Sequence, residues 1–132
     1  MRAREFLTED KKSDIVQIFK DFFPLCMQIL KLNSLPEIRY VGTLEQDIQP
    51  SFGEWDNSNN VLTIALKNRH PNDILRTLAH ELVHYKQDQL GMIKPDSGST
   101  GSPIENEANA VAGIIMRHFN KKFPHHLKSK PI

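Results

Sequence analysis

His80 and His84 stand four residues apart in the stretch RTLAHELVHYKQDQLG, Arg76 to Gly91, with Glu81 directly after the first of them. On a helix, residues four apart share one face at about 5 to 6 Å between Cβ atoms, so two imidazoles can each turn one nitrogen toward a common ion. Glu81 is rotated by about 100° from that face, which removes it as a third ligand but leaves it within reach of a water on the ion. Two neutral imidazoles that hold Zn²⁺, and a carboxylate that takes a proton from the activated water, are the chemistry of the H-E-x-x-H pattern. With six histidines and eight glutamates in the chain, roughly one shuffled sequence in sixty would contain the pattern by accident, so its position within a helix has to support it. The competing reading is two solvated or core histidines on a structural helix.

A catalytic zinc takes three protein ligands and keeps a fourth position for water. Two glutamates in PIENEANAV, Pro103 to Val111, compete for the third place. At about 100° per residue, Ile104, Val111, Ile114 and Ile115 define a buried face with Glu107 at its edge, while Glu105 falls toward solvent. Glu105 also has a local task, as the carboxylate of a capping box begun by Ser102. Glu107 is therefore expected as the third ligand and Glu105 as the fallback. A buried carboxylate without a partner is costly, and a metal would account for it.

HELVH followed by ENEAN on a later helix resembles the gluzincin zinc metallopeptidases, whose third ligand is a glutamate on a helix C-terminal to the H-E-x-x-H helix. Asn106 to Ala108 is similar to the ligand helix of thermolysin-type enzymes. The short chain looks more like the minimal gluzincins, including ImmA/IrrE-type and small phage-encoded peptidases. The resemblance covers about residues 52 to 119 and implies that His80, His84 and Glu107 bind one zinc ion with Glu81 as general base. Two departures stand out. Val111 occupies the position where thermolysin-type enzymes carry an aspartate supporting a zinc histidine, so that support must come from elsewhere, Asn109 or a backbone carbonyl. The chain also lacks room for the C-terminal subdomain that supplies the transition-state-stabilising histidine of those enzymes.

Positioning these residues requires a helix from Pro71 and Asn72 or Asp73 to about Gly91, with Leu75, Leu78, Ala79, Leu82 and Val83 at helical spacing. A second helix is announced by Ser102, Pro103 and Glu105 and should run to about Phe119. Phe52–Trp55 and Val61–Leu66 flank the turn formers DNSNN and read as a β-hairpin. LPEIRYVG alternates as a strand, and residues 43 to 51 read as a loop. Near the N-terminus, Ile15, Ile18, Phe19, Phe22 and Phe23 predict an amphipathic helix that Pro24 should kink or end, with a further helical stretch beyond it. Lys94 to Pro103 reads as a mobile surface loop bordering the site, and the basic tail from residue 120 as loosely ordered.

The expected fold is α+β, a compact zincin-like domain over residues 1–119 with a basic C-terminal tail at 120–132. A net charge of +1 gives no pull toward nucleic acid or an acidic membrane. No run reaches the roughly 18 apolar residues of a membrane span, and the N-terminus lacks a signal-peptide core. Cys26 is the single cysteine, which excludes a disulfide framework and a cysteine zinc site. A cytoplasmic monomer is expected, acting on a peptide or protein substrate. The alternative class is a non-catalytic zinc-containing interaction or regulatory module, which would close the fourth coordination position.

Other residues read more blandly. His118 lies eleven residues past Glu107, about 16 Å along a helix, and His125 and His126 belong to a solvated tail. Tyr40 and Tyr85 are read as packing residues, Trp55 and Cys26 as core, and Gln87 as an exposed helix residue with a supporting role to His84 as the sharper option.

Overall fold

The computed structural model describes residues 9–46, 49–93 and 102–132, and the side chains of 14–44, 52–93 and 102–132. The chain is α+β. Helix α1 spans Glu9–Leu30 and buries Ile15, Ile18, Phe22, Cys26 and Leu30, the i, i+3/i+4 stripe of an amphipathic helix. Pro24 lies inside α1 and does not end it. Both Pro24 and Lys20, whose carbonyl loses its donor, are exposed, so water can satisfy what the missing N–H leaves open.

Strands β1 (Glu37–Val41), β4 (Gly53–Asp56) and β5 (Val61–Ala65) form a mixed sheet in the order β1-β5-β4. The expected hairpin is the antiparallel β4/β5 pair, with Trp55 opposite Leu62, and β1 joins β5 in parallel, with Tyr40 opposite Ile64. Strands β2 (Leu44–Gln46) and β3 (Gln49–Ser51) form a separate antiparallel ladder where a loop is expected. Three residues per strand are too few to show a period of two.

Leu62 and Ile64 face the helices, whereas Glu37, Arg39, Glu54, Asp56 and Thr63 line a polar depression on the other face. Helix α2, Pro71–Gln89, packs its buried Leu75, Leu78, Leu82 and Val83 into the same core. His70 caps it, its Nδ1 accepting from Asn72 N–H at 3.0 Å, and Gly91 follows with φ +72, the left-handed conformation open to glycine. Helix α3, Pro103–Lys122, has Ser102 as N-cap, its Oγ accepting from Glu105 N–H at 3.2 Å. The α2/α3 pairing is the most extensive between elements, and Phe119 meets Phe22 of α1 edge to face at 5.4 Å.

The tail is not loose. Residues Pro124–Lys128 form a 3₁₀ helix, His126 is buried against Phe119, and Ile132 exchanges backbone hydrogen bonds with Asn68 and Arg69 at 2.7 and 2.8 Å. Basic composition hid this because the anchoring groups are one imidazole and the main chain. The expected loop at 94–101 lies outside the described residues. Among the described residues, no helix is long and apolar enough to cross a membrane.

Candidate metal centre

His80 and His84 project from the same face of α2 and stay half-buried. Their rings meet edge to face with centroids 4.7 Å apart and Nε2 atoms 3.1 Å apart. The i, i+4 spacing of a regular helix is sufficient for this convergence.

The third member is Glu105, not Glu107. Oε2 of Glu105 lies 2.7 Å from His84 Nε2 and Oε1 lies 3.3 Å from His80 Nε2. Among the described residues, His80, His84 and Glu105 form one of two groups whose ligand atoms all fall within 4.8 Å of one another. Glu107 is exposed, and its Oε1 accepts from Gln87 Nε2 at 2.9 Å. Glu107 was expected there because the large apolar residues were taken to mark the buried face of α3. The face that packs is Ala108, Ala112, Ile115, Met116 and Phe119, with Ile114 39% exposed. Small residues let two helices approach closely, so Ala108 and Ala112 mark the contact with α2. Glu105 precedes them by three and seven residues and shares their face.

Gln87 determines the proton placement on His84. Its Nε2 donates to Ile104 O at 3.0 Å and to Glu107 Oε1 at 2.9 Å, two groups that only accept, and this orients the amide. Gln87 Oε1 then faces His84 Nδ1 at 2.8 Å, so Nδ1 carries the proton and donates it. The ring thereby turns Nε2 toward Glu105. At 1% exposure Gln87 is among the most buried polar residues described, the supporting role that the bland reading set aside. Asn109 hydrogen-bonds His80, one of the two supports anticipated in place of the residue at Val111.

Burial, followed by the neighbouring His84 charge, holds His80 below its ordinary pKa against the opposing pull of Glu105 and Asn109. Glu81 is pushed up to about 7, first by burial. Glu105 and Glu54 push in the same direction, while His84 and a hydrogen bond from Trp55 N–H oppose them. That hydrogen bond ties the Glu81 carboxyl to the edge strand β4. Gly53 makes the approach possible, since a Cβ there would stand 2.5 Å from Thr77 Cγ2 and 3.3 Å from Glu81 Cγ.

The donor set fits a zinc ion. Ligand bonds near 2.1 Å in a tetrahedron separate neighbouring donors by about 3.4 Å. The separations of His80 Nε2 from His84 Nε2 and from Glu105, 3.1 and 3.3 Å, come within a few tenths of an ångström of that, while His84 Nε2 and Glu105 Oε2, at 2.7 Å, would have to move apart by about 0.7 Å to admit the ion. With their protons released, these three electron-pair donors would repel one another, and a cation would relieve that repulsion.

The remaining candidates lie elsewhere. His118 is exposed near the end of α3. Tyr40 stacks on Phe19 at 5.1 Å, and burial raises its hydroxyl pKa. Tyr85 packs on Trp55 at 5.2 Å and reaches Ser34 Oγ at 3.4 Å. Comparison with protein-family models, curated proteins and solved structures returns no match to this chain.

Proposed function

We propose that this chain is a zinc-dependent peptidase of gluzincin type in a compact zincin-like domain, with His80, His84 and Glu105 holding the metal. The reading rests on one observation above all: the Gln87 amide orients His84 so that its Nε2 converges with His80 Nε2 and both oxygens of Glu105. Zinc bound there supplies Lewis acidity toward a carbonyl and brings the pKa of a water to about 7.

The protein supplies the rest. Glu81, half-buried beside the ligands and steadied by Trp55 N–H, accepts a proton from water as the general base and returns it to the leaving amine. Strand β4 is an edge of its sheet beside Glu81, which suits an extended peptide lying along it. With three protein ligands among the described residues, a fourth position is left for water, which favours catalysis over a closed structural site.

Zinc content and cleavage of an unfolded protein, measured in parallel, test the reading. Glu105→Ala should hold one zinc fewer than wild type and lose cleavage. Glu81→Gln should keep all its zinc and cleave about 10²- to 10⁴-fold more slowly. Wild type that binds zinc through Glu105 without cleaving any protein would leave the non-catalytic module as the better account.

A further inference from the structure

A second group of ligand atoms within 4.8 Å of one another joins Asp21 of α1 to His125 and His126 of the 3₁₀ helix. His126 stacks on Phe119, fourteen residues after Glu105 on α3 and so about 21 Å along the helix. We propose that this group is a second zinc site, a clasp that locks the C-terminal segment to α1.

Two of its ligands are already fixed. The His126 ring is 8% exposed, lies parallel to Phe119 within 7°, and brings Nε2 to 2.9 Å from Asp21 Oδ2. The other Asp21 oxygen accepts from Gln17 Nε2 at 3.1 Å, which holds the carboxylate in orientation. A simple His126–Asp21 pair would account for these two residues and leave His125 out. Yet adjacent side chains of a 3₁₀ helix project about 120° apart, and the exposed His125 ring nevertheless turns to within 4.0 Å of the His126 ring, toward the same carboxylate. Two imidazoles and one carboxylate suit zinc among the available divalent ions, whereas calcium and magnesium favour all-oxygen sets. A cavity of about 390 Å³ beside the group, with Asp14 and Lys128 on its wall, has room for the water that would complete the coordination.

The clasp does not depend on the peptidase reading, and the test separates them. Zinc bound to the full chain is counted by equilibrium dialysis for wild type, His125→Ala and Glu105→Ala. Trimming by a serine carboxypeptidase is followed with and without zinc. His125 is exposed, so its loss leaves the fold intact. The expected counts are two, one and one. Zinc should slow trimming of Glu105→Ala by at least about tenfold, because binding suppresses opening of the segment, and should leave trimming of His125→Ala unchanged. A His125→Ala chain that binds as many ions as wild type overturns the clasp, as does trimming of Glu105→Ala that zinc does not slow. A single wild-type ion lost only with Glu105→Ala also overturns it and leaves the peptidase reading standing. A single ion lost only with His125→Ala supports the clasp and removes the peptidase reading.

Discussion

The α2/α3 centre and the tail cluster draw on the same chemistry, two histidines and one carboxylate each, yet differ in what surrounds them. Beside His80 and His84 stands Glu81, half-buried, tied to an edge strand and with its pKa pushed up to about 7. Beside His125 and His126 stands the Phe119 ring, with Lys128 on the wall of the neighbouring cavity. Ligands alone make a metal site. On the proposed reading, a general base at the next residue and a strand edge to align a substrate are what would give the first cluster a reaction to perform.

The sharpest contrast comes from removing one imidazole from each cluster. His84→Ala should abolish protein cleavage, whereas His125→Ala should keep the rate within about twofold, because the sites are far apart and share no partner. Equal losses in both variants would dissolve the distinction.

Gln87 offers a finer probe. Gln87→Leu removes the acceptor that holds the proton on His84 Nδ1, and zinc affinity at the α2/α3 centre should fall about 10- to 100-fold by competition against a chelator. Glu107→Ala should weaken it less, since Gln87 still donates to Ile104 O. The reverse order would restore Glu107 as the direct ligand.

Smaller effects are expected in stability. Gly53→Ala forces a methyl group against Thr77 and Glu81 and should lower the unfolding free energy in urea by about 1 to 3 kcal/mol. Gly113→Ala meets only the Arg117 guanidinium at 3.7 Å, so helix propensity should raise it by up to about 1 kcal/mol. Least of all should happen at Cys26. Burial raises its thiol pKa, which keeps the neutral, unreactive form, so alkylation should be negligible in the native chain and rapid after unfolding.

Much of this architecture could be read from residue types. Helix α2 follows from its apolar spacing and its Pro71 start, α3 from Ser102, Pro103 and Glu105, and the β4/β5 hairpin from the turn residues between Trp55 and Val61. Other features were hidden for identifiable reasons. Pro24 argued for a break, but its exposed position lets the helix continue. The β1/β5 pairing joins strands whose parallel order no local pattern encodes. His70 caps α2 through a ring nitrogen, outside the usual set of capping residues. His126 looked solvated because its partner, Asp21, is 105 residues away.

The same division runs through the site. The sequence by itself determined that His80 and His84 share a face and that Glu81 stands beside it, because one regular helix imposes that geometry on neighbours four and one residues apart. Which glutamate meets them was decided only in the folded molecule. The rotation of α3 about its own axis depends on where Ala108 and Ala112 let it press against α2, and that contact is a property of two helices together. Glu105 faces the imidazoles and Glu107 faces Gln87 for that reason.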